Sequence, residues 1–292
     1  MRRERGQTAA KGVTFFTVSP TTPPTSASAA AYHAAMVSPD PQALARQRLL
    51  GKYRVVASPH VPPLAAADHL NLVAVILLAF DGQALRTAGV SAACAELCRQ
   101  YDRYAARLPQ EIAVADTHVR LRIACTAGCS HCCLAPVTVI APEAVAIAEY
   151  IDTTFSAEQK LALALRLASY HVPPDERGAP DSMCPLNVEG LCSVYEVRPF
   201  NCRRFHSLDL QACLRFFRAR TGDLAEVLQE PYRMDRFGVF WHSADVAFTA
   251  LGIDTRDLDF IPALTIAIAE PGAEQLFASD SAFAAAAHYS DE

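Results

Sequence analysis

Residues 125–133 read CTAGCSHCC, four thiols in nine positions. How this stretch folds decides what organises the middle of the chain. On a helix, Cys125, Cys129, Cys132 and Cys133 fall at i, i+4, i+7 and i+8, the spacing of a buried stripe. Buried cysteine behaves as a small hydrophobe, so four core residues would satisfy that pattern. The intervening residues argue for a turn instead. Thr126, Ala127, Gly128, Ser130 and His131 are small or polar, and Gly128 and Ser130 suit a tight turn better than a helix interior. Small neighbours let several thiolates face one centre.

Moving outward, a second group follows about fifty residues downstream, CPLNVEGLCSVYEVRPFNCRRFHSLDLQAC at 184–213. Cys184 and Cys192 flank a predicted turn at Asn187 to Gly190, and Cys202 and Cys213 come after it. Structural zinc and iron–sulfur clusters usually take four protein ligands, commonly thiolates arriving as close groups from separate loops. Eight thiols fill one such site with spares, or two sites. Adjacent Cys132 and Cys133 oppose each other in an extended strand. In a turn or helix they can share an ion or serve two neighbouring centres. Four thiolates around zinc or a four-iron cluster leave a net charge of about −2. Arg198, Arg203 and Arg204 beside Cys202 can offset it and keep thiols ionised, or can simply form an exposed polar face. Metal binding is favoured over core cysteines, a disulfide or a thiol-redox centre, on compartment and spacing.

CTAGCSHCC, then APEAVAIAEYI and CPLNVEGLCSVYEVRPFNCRRFHS, resembles the YkgJ-type cysteine-cluster proteins, also called the CxxCxxCC family and described as zinc- or iron-chelating domains. The resemblance spans residues 120–215, about a third of the chain. The CC doublet, the C-x(7)-C turn and YEVRPFNCRRF carry it; the first gap here is three residues where the family name has two. It implies a metal ion held by Cys125, Cys129, Cys132, Cys133, Cys184, Cys192, Cys202 and Cys213. The cofactor would be zinc or iron, mononuclear or as an iron–sulfur cluster. The flagellin lysine N-methylases carry a distantly similar cysteine arrangement associated with an iron–sulfur cluster, which offers an enzymatic alternative, methyl transfer or redox. A zinc-stabilised interaction module is another.

Composition bounds these readings. With 292 residues, 51% of them hydrophobic, the chain can bury a core without thiols to staple it. A net charge of −5 provides no basic field for nucleic acid or anionic membrane, so neither partner is expected; a protein partner is not identifiable. MRRERGQTAAKGVTFF at the start is basic but lacks the apolar run of a secretory signal, which predicts a cytoplasmic protein. LNLVAVILLAF at 70–80 is too short to span a bilayer and suits a buried strand or core helix. In a reducing compartment, ten cysteines rarely mean five disulfides.

The predicted fold is mainly α, with an irregular cysteine-rich metal-binding core formed by two loop segments. A Pro- and Ser-rich arm over 1–42 is expected to be disordered. A helical region at 43–110, the cysteine-cluster domain at 111–220 and a helical C-terminal region at 221–292 follow. Helices are predicted from Ser91 to Leu108 with Ser91 as cap, from Ala141 to about Ile151, and after Ser156, which stands in capping-box spacing with Gln159. Partial alternation over 111–123 predicts a strand. TGDLAEVLQE, FGVFWHSADVAFTALG and the tail EQLFASDSAFAAAA read as helical, with Phe237, Phe240, Trp241 and Phe248 packing the second of these.

Other candidates are weaker. Cys94 and Cys98 lie on an apolar helical stripe and are read as packing residues. His131 and His206 can replace a thiol, but with enough cysteines present they suit supporting hydrogen bonds. Tyr195 and Glu196 are read as structural support for the loop. No G-x-G-x-x-G, Walker A loop or H-E-x-x-H occurs to anchor dinucleotide, P-loop or zincin chemistry.

Overall fold

A computed structural model describes residues 47, 50–55, 65–80, 87–107, 111–113, 120–170, 183–219, 226–270, 276–277 and 281–287. The expected N-terminal arm and the irregular stretch opened by Pro173 and Pro174 lie outside these residues. The described part belongs to one compact unit, Gln42–His288.

The chain is mainly helical. The apolar run forms helix α1, Ala66–Phe80, which buries Leu72, Val73, Ile76, Leu77 and Phe80 at helical spacing. Its Ala- and Leu-rich composition outweighs the Val and Ile content. Helix α2, Thr87–Ala105, buries Val90, Ala93, Cys94, Leu97, Tyr101 and Tyr104 along one stripe. It begins a turn before Ser91, which therefore sits inside the helix rather than capping it. Cys94 is a core residue, as its stripe position predicts.

Helix α3, Ala141–Thr154, and helix α4, Ala157–Ser169, flank the reciprocal cap at Ser156. There the Gln159 amide donates to Ser156 Oγ at 3.2 Å and the Ser156 amide to Gln159 Oε1 at 2.9 Å. Helix α7, Pro231–Ala250, and helix α8, Phe260–Ala269, complete the long elements. Between α4 and α7 lie two short helices, α5 (Phe200–Arg204) and α6 (Leu210–Cys213), the latter running on as a π-helical turn, Leu214–Ala219. α2 packs against α1, α3 and α7, and α8 covers α3.

Aromatic rings fill the meeting point of α2, α5 and α7. Tyr101 meets Phe200 edge-on at 5.0 Å and Phe240 at 5.3 Å, while Phe237 stacks on Phe200 at 5.1 Å and on Trp241 at 5.9 Å. Such pairs contribute about 0.5–1.5 kcal/mol each beyond their buried area. Phe200 thereby ties the second cysteine segment to the helical core.

The described strands form three antiparallel pairs of two. β1 (Glu111–Ala113) pairs with β2 (Arg120–Arg122), so the predicted single strand over 111–123 is a chain reversal. The alternation that suggested a continuous strand belongs to its second arm alone. β3 (Thr138–Val139) pairs with β6 (Leu258–Asp259), and β4 (Asn187–Val188) with β5 (Leu191–Cys192). Two predicted helices are corrected among the described residues. Of the first, Glu226 is in a 3-10 turn and 227–230 are not helical; of the tail, 276–277 are helical but 281–287 is a turn followed by a single 3-10 turn, Ala284–Ala286. Among the described residues no helix is long and apolar enough to cross a membrane.

Candidate metal centre

β2 delivers the chain into CTAGCSHCC, where the Ala124 amide donates to the Ser207 carbonyl at 2.8 Å. The turn at Ala127 and Gly128 closes with the Cys129 amide on the Thr126 carbonyl at 3.0 Å. Gly128 takes φ +83°, a left-handed conformation that favours glycine. The chain then tightens into a 3-10 turn, His131–Leu134, with the Cys133 amide on the Ser130 carbonyl at 3.1 Å. The stretch is thus turn plus 3-10 helix, and the α-helical core stripe does not form.

The second segment docks directly on the first. The Cys184 amide donates to the Cys133 carbonyl at 2.9 Å, and Asn187 Nδ2 lies 3.5 Å from Cys133 Sγ. Between β4 and β5, Glu189 (φ +52°) and Gly190 (φ +86°) are both left-handed, the requirement of a two-residue type I′ hairpin. Asn187 Oδ1 caps it by accepting the Gly190 amide at 3.1 Å. A Cβ on Gly190 would stand 3.4 Å from the Gly128 carbonyl oxygen, so the two glycine turns lie against each other.

The segment YEVRPFNCRRF holds Cys202 through its neighbours. The buried carboxylate of Glu143 in α3 accepts the Ile140 amide at 3.1 Å and, across the fold, the Phe200 amide at 2.6 Å. Asn201 Nδ2 donates to the Thr138 carbonyl at 2.8 Å. Arg203, its side chain 2% exposed, pairs with Asp102 at 2.5 Å and donates to the Glu196 carbonyl at 2.6 Å. Arg204 lies over the Phe237 ring and donates to Asn201 Oδ1 at 3.0 Å. Arg198 lies over Tyr195. Arg203 and Arg204 are therefore built into the fold rather than forming an exposed face.

Cys213 closes the second segment. Asp209 Oδ1 caps α6 by accepting the Gln211 amide at 2.7 Å. Cys213 is buried in a cluster with Leu134, Ala212, Phe217 and Val227, against which Cys132 packs. The Ser207 amide donates to Cys125 Sγ at 3.3 Å. All eight predicted cysteines are present as free thiols, Cys125 exposed, Cys213 buried and the other six partly buried.

Their electrostatics follow from burial and from one another. Burial pushes Cys184 up to about 12, while the amides of Leu186 and Asn187 on its sulfur pull the other way. Burial, then the nearby thiols of Cys184, Cys133 and Cys192, raise Cys202 well above the ordinary range. Cys192 is raised by burial and eased by the Val194 amide, with Arg198 and Arg203 also favouring its thiolate. Cys125 is raised by burial and eased by the Ser207 amide; Cys129 and Cys213 oppose its ionisation. Within the doublet, a Cys132 S–H donated to Cys133 lowers Cys133, burial opposes this, and Asn187 and Arg218 assist it. Cys132 is raised in turn by that bond. Amide and guanidinium groups aimed at sulfur favour thiolate, the form that binds metals.

The two histidines behave differently. His206 Nδ1 sits 2.8 Å from the Arg204 carbonyl, and its Nε2 accepts the Glu230 amide at 2.7 Å. Both nitrogens are used, so His206 braces the loop after Cys202. His131 Nδ1 accepts Arg218 Nε at 3.2 Å. Among the described residues no three His, Cys, Asp or Glu side chains already stand around a point able to hold a metal ion.

Sequence reasoning missed Asn187, Glu143 and Ser207 as the residues that orient the loops. The turn position of Asn187 was a signal for the hairpin but not for its contact with Cys133. No family model, curated protein or solved structure matches the chain.

Proposed function

We propose that this is a metal-chelating protein that binds zinc or iron, the latter also as an iron–sulfur cluster, through its clustered cysteines, as the resemblance to the YkgJ-type proteins implies. The observation that carries the reading is the docking of the two cysteine segments, Cys184 amide on Cys133 carbonyl, with N–H donors of Asn187 and Ser207 directed at thiol sulfurs. Such donors tune and orient metal thiolates. The donor set fits a soft thiophilic metal: eight free thiols, with Arg198, Arg203, Arg204, Arg218 and Arg233 near enough to favour their thiolates. Ligation would draw the thiols inward from where they stand. When bound, zinc would supply cross-linking energy on the order of 10 kcal/mol by analogy with small zinc domains, and an iron–sulfur cluster would supply electron transfer or Lewis acidity.

Anaerobic purification followed by metal analysis and a visible spectrum tests the reading. Stoichiometric zinc in a colourless protein, or iron with sulfide and a broad visible absorption, is expected. Cys133→Ser and Cys202→Ser should each lower metal content, and Cys94→Ser should leave it unchanged. A folded wild-type chain with no bound metal overturns the proposal.

A further inference from the structure

We propose that the adjacent thiols of Cys132 and Cys133 form a dithiol site for trivalent arsenicals carrying one organic substituent, with the arsenic atom bridging the two sulfurs. The proposal goes beyond the metal-binding reading and does not depend on it.

Three observations meet at the doublet. Neighbouring residues hold their Cα atoms about 3.8 Å apart, and here a 3-10 turn, His131–Leu134, fixes the pair. The Cys133 amide is bonded to the Ser130 carbonyl at 3.1 Å and the Ala135 amide to the Cys132 carbonyl at 3.0 Å. Both residues are free thiols and partly exposed, and the Cys132 S–H is donated to the Cys133 sulfur. The two sulfurs therefore face one another, as a single bridging atom requires.

The second observation is Asn187 Nδ2, 3.5 Å from Cys133 Sγ. An N–H donor on that sulfur favours thiolate, the attacking form. The third is the wall beside Cys132. This residue packs against the buried cluster that contains Leu134 and Phe217, alongside the partly buried Met183 and Phe216. Phe216 meets Phe217 edge-on at 4.9 Å, so an aromatic surface adjoins the thiols. An aryl or alkyl group on arsenic would lie against it.

The chemistry selects the ligand class. Thiolates prefer soft partners. Arsenic with one carbon substituent has two valences left, the number the doublet supplies. Starting from the hydrated form R–As(OH)2, two S–As bonds form and two As–OH bonds break. Each hydroxide leaves with a thiol proton as water, arsenic stays trivalent, and nothing is oxidised. Once Cys133 has attacked, closure by Cys132 is intramolecular, which raises affinity roughly 10²–10⁴-fold over a single thiol.

Phenylarsine oxide is the probe. It is added to the full chain as purified and again after treatment with a strong chelator, both samples reduced with a phosphine. Intact-mass measurement is expected to show one phenylarsenic group per chain replacing two thiol hydrogens, mapped by proteolysis to the peptide that contains 132–133. A small dithiol should strip it. Cys132→Ser and Cys133→Ser should each weaken retention by roughly 10²–10⁴-fold, while Cys129→Ser and Cys184→Ser leave it in place. No adduct in either sample, arsenic mapped to another pair of thiols, or retention unchanged in Cys133→Ser overturns the proposal. The wild-type map decides by itself, so a variant that fails to fold does not rescue it. Metal content measured beside it separates the two readings. A chain that holds metal but takes no arsenical overturns this proposal alone, and one that takes the arsenical but holds no metal overturns metal binding alone.

Discussion

Asn187 Nδ2 lies 3.5 Å from Cys133 Sγ, and the same side chain accepts the Gly190 amide through Oδ1. One amide group therefore shapes the hairpin and supports the sulfur across it. Asn187→Ala removes both functions, and metal affinity should fall by roughly 10–100-fold, the usual effect of losing a group that orients a ligand. Asn187→Asp keeps the hairpin acceptor but replaces the donor with a negative charge. It should lower affinity comparably while preserving the hairpin. Competition with a chromophoric chelator measures the first effect and hydrogen exchange at Gly190 the second. Unchanged affinity in Asn187→Asp would show that the contact with Cys133 carries nothing.

Glu143 gives a pH dependence with a definite sign. Burial pushes its carboxyl up to about 7 from an ordinary 4.5, despite the amides of Phe200 and Ile140 that favour the ionised form. The folded chain therefore retains a proton that the unfolded chain releases first. This contribution is fully present below about pH 4.5, declines as pH rises toward 7, and changes no further above it. Its size is on the order of 3 kcal/mol at most. Urea titrations between pH 4.5 and 8 should show that decline, and Glu143→Gln should flatten it. An equal slope in the variant would assign the dependence to other groups.

The helices were legible where apolar residues recur against polar ones. α2 shows the stripe Cys94, Leu97, Tyr101 plainly, and the Ser156–Gln159 pair marks the start of α4. α8 went unread because its core side, Phe260, Ile261, Ala263 and Leu264, is flanked by little polar contrast, so no period stands out. The cysteines announced themselves by spacing, but their orientation did not. Asn187 reaches Cys133 across 54 positions and Glu143 reaches Phe200 across 57, distances over which local pattern carries no information. The 3-10 turn at Cys132 and Cys133 was equally hidden, since doublets fit turn and helix alike.

Metal removal should act locally. The aromatic junction of Tyr101, Phe200, Phe237 and Phe240 and the packing of α1, α2, α3 and α7 are made without any of the eight candidate thiols. Stripping metal with a strong chelator is therefore expected to raise hydrogen exchange in 125–134 and 184–192, with the amides of α1 and α2 remaining protected. Exchange rising equally throughout would mean that metal and helical core form one cooperative unit.

The last expectation separates helix packing from the cysteine loops. Asp68 in α1 and Arg236 in α7 form an ion pair at 2.6 Å, with side chains only 5% and 4% exposed. Arg236 also lies over the Tyr104 ring of α2, so the pair sits where three helices meet. Taking Asp68 away removes this carboxylate from a guanidinium held out of water, and breaking a buried pair in that way costs about 3–5 kcal/mol. Asp68→Ala should therefore lower the urea midpoint substantially. Asp68→Leu combined with Arg236→Met should recover much of that loss, because two apolar residues of similar volume remove both desolvated charges together. Neither variant touches a cysteine segment, so metal bound per folded chain should stay at the wild-type value. A loss below about 1 kcal/mol in Asp68→Ala would class this pair with solvent-screened surface bridges and contradict its burial.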